Sequence, residues 1–270
     1  MISELMPTEE IRLRARCGLS FEAEIATPMV FMLRPQSNVN QQITAETFEL
    51  DPAVPVHEFS DAFGNLCQRL LAPVGKFELV SSIDAIVRQQ AIPTSNAPFV
   101  EVPNLPDSTL VYLLPSRFCE SDRFGDMAQE IVVGMSSGYE QVEAIRHWVQ
   151  SHIRNVPLSS TYPVSSTEVN SRGEGVCRDL AQLSISLCRA LCIPARLAVG
   201  YLQGLEPMDN HAWFEAFVGG QWYTFDPASD SPGGRIVVAR GRDAADVAIY
   251  NQYGPLLLPT GMQVSVERAD

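Results

Sequence analysis

The stretch His211-Ala-Trp-Phe-Glu-Ala-Phe-Val-Gly-Gly-Gln-Trp-Tyr-Thr-Phe-Asp226 decides the architecture of this chain. Two aromatic-rich runs meet at Gly219-Gly220, a dipeptide suited to a two-residue hairpin turn because both central positions need positive φ. With these glycines as the turn, Val218 faces Gln221, and the same register sets His211 opposite Ala228. Asp226 is then two places away on the neighbouring strand. That offset keeps both side chains on one face of the sheet, within reach of a diagonal hydrogen bond.

Upstream, Gly173-Glu-Gly-Val-Cys-Arg-Asp179 places a cysteine where a glycine-rich turn runs into a helix. The unpaired N–H groups and the positive end of the helix dipole favour a thiolate there. The helix is expected from Cys177 to Cys192, with Leu180, Leu183, Leu187, Cys188 and Leu191 as its apolar stripe and Pro194 blocking continuation. An earlier helix is expected between Tyr139 and Arg154, where Val142, Ile145, Trp148, Val149 and Ile153 recur at spacings of three and four. Arg196–Tyr201, His211–Val218, Gln221–Asp226 and Arg235–Ala239 read as strands. Before them, from Ile11 to about Leu114, the text is β-rich: Met29–Arg34 and Leu110–Leu114 read as strands and Asp61–Asn65 as a turn. The change in texture after Pro115 divides the chain into a β-rich amino-terminal domain, 1–115, and a mixed domain, 116–270.

A chain of 270 residues can bury its own hydrophobic core. Its net charge of −13 repels phosphate backbones and anionic headgroups, so neither nucleic acid nor membrane is an expected partner. No apolar run approaches the roughly 20 residues needed to span a bilayer, and Met1–Glu10 does not read as a secretory signal. A cytoplasmic protein is expected. Six cysteines without a C-x-x-C pair argue against a disulfide scaffold or a structural zinc site. Most read as buried thiols, with Cys188 and Cys192 filling core space. No metal or other cofactor is implied.

Chemistry is expected from Cys177, His211 and Asp226. A neutral imidazole accepts the proton of a thiol, and a carboxylate on the other ring nitrogen fixes the tautomer and stabilises the imidazolium. His147 and His152, five apart, sit about 140° apart around a helix and cannot share a metal as an i, i+4 pair would. They read as surface or rim residues, and His57 as a structural histidine. Trp213 and Trp222, beside the proposed triad, either wall a substrate cleft or pack the sheet.

The ordered strings Gly175–Ala181, Leu187–Arg196, Val199–Tyr201, Asn210–Trp213 and Trp222–Pro227 resemble the transglutaminase-like superfamily, and Ala239–Val247 extends the resemblance. Leu33–Pro35 and Asp61–Asn65 resemble the β-rich domain that often precedes this core in bacterial members. The resemblance implies an α+β, papain-like core whose nucleophile opens a helix packed on an antiparallel sheet. It makes 116–270 the catalytic domain, with Cys177 as nucleophile, His211 as base and Asp226 as its orienting carboxylate. It implies acyl transfer from a peptide or protein amide, with no cofactor. For the upstream Gln, Asn or Trp side chain that helps hold the oxyanion in several branches, Asn155 and Tyr162 are the nearest candidates, alongside the Cys177 N–H. A peptidase or amidase leads; a transglutaminase, passing the acyl group to an amine, is the alternative, followed by a non-catalytic interaction module. A zinc site on the same three residues is weaker, for want of a close-spaced ligand pair. The amino-terminal half is expected to shape the site without supplying a catalytic group.

Cys177 is accordingly expected to react with iodoacetamide much faster than Cys188 or Cys192, and equal labelling of the three in a mass-spectrometric time course would contradict the assignment.

Overall fold

The computed structural model describes residues 10–88, 97–157, 159 and 162–269. Apart from Glu10, the opening segment read for a signal lies outside them. The first layer is built by period-two alternation. In β1 (Glu10–Ala23) every second residue from Ile11 is buried, and in β6 (Gly75–Arg88) every second residue from Phe77. The two pair antiparallel along their whole length, from Glu10 opposite Arg88 to Ala23 opposite Gly75. Between them in sequence come β2 (Thr27–Phe31), β3 (Gln41–Asp51), β4 (Val56–Ser60) and β5 (Leu66–Ala72). β3 covers the free edge of β6, while β2, β5 and β4 form a second sheet. Asp61–Asn65 is the expected turn, tied by the Asp61 carboxylate, which accepts from the N–H groups of Phe63 and Asn65 at 2.8 Å.

Leu110–Leu114 is not a strand. A short helix, α1 (Asp107–Leu110), runs on into a 3-10 turn over Val111–Leu113. The Pro106 carbonyl accepts both the N–H and the hydroxyl of Thr109, which starts a helical turn, and the apolar run is used to bury Tyr112.

Four more helices follow: α2 (Gly125–Ile131), α3 (Tyr139–His152), α4 (Ser166–Arg172) and α5 (Cys177–Ala190), with the two-residue strands β7 (Arg154–Asn155) and β8 (Glu174–Gly175) paired in parallel. Every residue of α5 from Asp179 to Arg189 is buried. Its polar members are all bonded: the Gln182 Oε1 accepts from the Ala244 N–H at 3.0 Å, and Ser184 and Ser186 donate to carbonyls one turn back. Arg189 donates to the carbonyls of Leu114, Ala195 and Arg242. α5 stops two residues earlier than expected because Cys192 takes a left-handed φ of 58° and the N–H groups of Leu191, Cys192 and Ile193 fold back on the carbonyls of Cys188 and Arg189. Cys192 is therefore exposed, contrary to its expected place in the core beside Cys188.

The second half of the fold is the sheet β11-β10-β9-β12, formed by β9 (Ala195–Leu202), β10 (His211–Val218), β11 (Gln221–Phe225) and β12 (Arg235–Gly241), all antiparallel neighbours. Gly219 and Gly220 have φ of 59° and 84°, and Val218 faces Gln221 as expected. This is an α+β, papain-like architecture with a β-rich amino-terminal layer.

The chain does not divide in sequence order. β13 (Tyr250–Gln252) pairs with β2 and β14 (Gly261–Arg268) with β1, so the two consecutive domains expected at 1–115 and 116–270 exchange segments. Ala97 and Pro98 in turn accept hydrogen bonds from Tyr139 and Gly219 in the second half. Tyr201, Ile236 and Val238 of the second-half sheet lie in one buried cluster with Phe21 and Phe77.

Gly200, paired with both His211 and Val237, has no room for a side chain: a Cβ there would stand 1.9 Å from the Ile236 carbonyl oxygen. Gly220 has open space around it and needs only its positive φ. Gly200→Ala is therefore expected to cost about 3 kcal/mol through overpacking against backbone, and Gly220→Ala about 1 kcal/mol. Urea titration of the two variants checks the order, and a larger loss at Gly220 would contradict it.

Candidate active site

The site lies where the start of α5 meets the start of β10. Cys177 opens α5 and is half-buried. The turn before it is fixed by Asp179, a fully buried carboxylate that accepts from the Val176 N–H at 3.2 Å and pairs with Arg178 at 3.1 Å. Gly175 lets that carboxylate approach, since a Cβ at 175 would lie 2.8 Å from the Asp179 Cβ. Two N–H groups of the first helical turn, at Cys177 and Arg178, precede any carbonyl that could accept them within the helix.

His211 and Asp226 are both buried, and the His211 Nε2 lies 2.7 Å from the Asp226 Oδ2. This is the diagonal contact that the hairpin register requires. Cys177 is the second side chain that acts on the imidazole, and it raises the ring pKa as Asp226 does. Burial opposes a charged ring, yet Asp226 and Cys177 outweigh it and push the His211 pKa up to about 9. Burial likewise opposes ionisation of Asp226, but His211 and Arg235 hold its carboxyl below the ordinary value.

Asp226 is held on all sides. Its Oδ1 accepts from the Ala228 N–H at 3.0 Å, and its Oδ2 accepts from Arg235 as well, also at 3.0 Å. Trp213 is fully buried with its ring centroid 6.0 Å from that of His211 and the Arg235 guanidinium 5.7 Å above it. Asn155 pairs across Gly175, two residues before Cys177, and its amide donates to the Ala228 carbonyl at 3.3 Å. The structure thus gathers Cys177, His211, Asp226, Trp213 and Asn155.

Another expected residue, Trp222, stands elsewhere. Trp222 pairs with Phe217, six residues along β10 from His211, where it stacks under the Arg196 guanidinium at 3.9 Å and meets Tyr112 edge-on. Tyr162 is exposed and within electrostatic reach of Tyr250. His147 and His152 are exposed on α3, the latter stacked on Trp148, and His57 is an exposed residue of β4 stacked on Phe59.

Sequence reasoning missed Asp179 and Arg235. The first carried a signal, an acid at the third position of a helix, which commonly reaches back to a free N–H. Arg235 carried none, because only the path of the loop after Pro227 returns it to Asp226. Burial pushes up the thiols of Cys17, Cys67, Cys119 and Cys188, Cys67 to about 11 and Cys119 to about 12. Among the described residues, no group of three or more His, Cys, Asp or Glu side chains is arranged to hold a metal ion, and no helix is long and apolar enough to cross a membrane.

Residues 125–227 match the transglutaminase-like superfamily. The chain carries a transglutaminase-like core. It is similar over nearly its whole length to a protein of Cytophaga hutchinsonii described as a candidate cysteine protease: the identity is 29%, the TM-score 0.91, and the match covers 97% of this chain and 92% of that one. An uncharacterised protein of Mycobacterium leprae is 26% identical over 254 residues, covering 87% of this chain and 89% of its own. The amino-terminal β layer therefore accompanies the transglutaminase-like core in the Cytophaga structure as well.

A ring pKa raised from the usual 6.5 to about 9 ties stability to pH. The contribution is complete below about 6.5 and is lost as pH rises through about 9. The urea midpoint is expected to fall between pH 7 and pH 9.5, and Asp226→Asn to flatten that fall; parallel curves for the two proteins would contradict the assignment.

Proposed function

We propose that the protein is a cysteine hydrolase, a peptidase or amidase, that cleaves an amide bond through Cys177, His211 and Asp226. The observation that carries this reading is a buried carboxylate 2.7 Å from the Nε2 of an imidazole on which the helix-start thiol of Cys177 also acts. His211 takes the proton of the Cys177 thiol, and the sulfur attacks the carbonyl carbon of a peptide or protein substrate. The tetrahedral oxyanion faces the Cys177 N–H and, of the two side chains expected to help, Asn155, whose backbone is in register with Gly175. Collapse breaks the C–N bond as the imidazolium protonates the leaving amine, and a thioester remains. Water, giving its proton to His211, then releases the acid and the free thiol. Asp226 stays ionised throughout and stabilises each imidazolium.

Hydrolysis is favoured over transfer to an amine by the similarity to the Cytophaga protein. Retention of all three chemical residues favours an enzyme over an interaction module. Six free cysteines, two of them not buried, suit a reducing compartment, and we place the protein in the cytoplasm on that ground.

The test incubates the protein with a glutamine-containing peptide mixture and a labelled primary amine. Peptide cleavage or deamidation without label incorporation is expected; incorporation of the amine would make the protein a transferase. Cys177→Ala and His211→Ala should abolish turnover, and Asp226→Asn should lower it roughly ten- to a thousandfold with the fold intact. Asp226→Asn turning over like the wild type per folded molecule would reduce Asp226 to a turn-capping residue.

A further inference from the structure

We propose that Arg235 is a positioning residue of this site, the permanent counter-charge that keeps Asp226 ionised and oriented while His211 changes charge. The inference rests on the triad reading above.

Three donors from three parts of the fold converge on the Asp226 carboxylate. The His211 ring comes from β10, the Ala228 N–H from the turn after β11, and the Arg235 guanidinium from the start of β12. His211 and Arg235 share the same oxygen, Oδ2. In the proposed cycle the imidazole is cationic at some steps and neutral at others. A buried carboxylate whose only partner becomes neutral must be protonated or turn away, because an unpaired buried charge is costly. A guanidinium does not lose its proton, so Arg235 supplies the charge that His211 cannot supply continuously.

The placement of Arg235 is itself specified. Its neighbour Gly233 can have no side chain, since a Cβ there would lie 2.1 Å from the Gln203 carbonyl oxygen. The Gly233 carbonyl accepts from the Arg235 Nη1 at 3.4 Å. The guanidinium lies over Trp213, whose other neighbour is the His211 ring, so one buried indole locates both partners of Asp226. Behind them is a cavity of about 200 Å³ lined by Trp213, Asp226, Gly233, Arg235 and Tyr139. The Arg235 Nε and Trp213 Nε1 are buried without a hydrogen-bond partner among the described residues. Among the described residues, Asp209 acts on the His211 ring from the loop before β10, and Arg146 of α3 acts on Asp226, but its guanidinium is already engaged by Glu143, Gln150 and Asp230. Arg146 therefore does not replace Arg235.

The experiment compares Arg235→Met, Arg235→Lys and Asp226→Asn with the wild type. It reads kcat and KM on one cleaved peptide, the pH profile of Cys177 alkylation by iodoacetamide, and melting. Arg235→Met is expected to lower kcat about tenfold with KM unchanged. Without the guanidinium Asp226 is protonated at higher pH, so the acid limb of both profiles should move upward. Arg235→Lys should keep the wild-type limb and most of kcat. In Arg235→Ala, added guanidinium ion, which the cavity can admit, should restore part of kcat, and it should do nothing for Asp226→Asn. Should Arg235→Met not fold, Arg235→Gln, which keeps a donor without charge, takes its place with the same acid-limb shift expected. A lower melting temperature with wild-type kcat and wild-type pH limbs would overturn the proposal and make Arg235 structural. Asp226→Asn with wild-type kcat would overturn the triad reading and this proposal together, whereas a defective Asp226→Asn beside a fully active Arg235→Met would overturn only this one.

Discussion

The structure depends on covering one helix. α5 is buried along almost its entire length, and a helix in that position must find neighbours on every side. β9 and β10 cover one face, and α2, α3 and α4 cover the others. The first turn is left partly open, and that is where Cys177 stands. Burying the body of the helix thus does two things at once. It fixes the direction of the dipole, and it leaves the N-terminal N–H groups as the part of the helix that solvent and substrate can reach.

The same packing places acids in the interior, and Asp179, Glu215 and Asp226 each meet at least one guanidinium. Glu215, on β10, is flanked by Arg196 of β9 at 2.7 Å and Arg240 of β12 at 2.9 Å. Burial would push its carboxyl up, but the two cations hold it below the ordinary value. Buried ion groups of this kind add little net stability compared with apolar packing, yet removing one member is severe, because the others are left unpaired. They lock the three strands that carry Glu215, Arg196 and Arg240 in one register. His211 lies four residues from Glu215 on the same strand, so that lock also sets where the imidazole stands.

Much of this was legible in the sequence, for identifiable reasons. The Gly219-Gly220 turn is a local signal, and a hairpin register extends arithmetically from it, which is why the His211–Asp226 contact could be anticipated from residue numbers. Cys177 was legible because glycines before a helix mark its start. Leu110–Leu114 misled because a short apolar run has no period of its own, and Pro106 with Thr109 decided for a helical turn. Cys192 misled because a left-handed residue ends α5 before the apolar stripe does. Arg235 and the pairing of β14 with β1 were not legible: both depend on where a long loop returns, and no residue within the loop records it.

That pairing of β14 with β1 has a consequence for how the polypeptide comes to be made. β1 runs for fourteen residues between β6 and β14, and until β14 has left the ribosome one side of it presents a row of unsatisfied N–H and C=O groups. Such an edge is a template for pairing with another nascent chain. The solvent-facing residues along it include Arg12, Arg14 and Arg16 at every second position, with Arg14 paired to Asp84 of β6 at 2.7 Å. Two copies meeting edge to edge would set Arg12 and Arg16 of one strand beside those of the other, and like charges so placed disfavour that pairing.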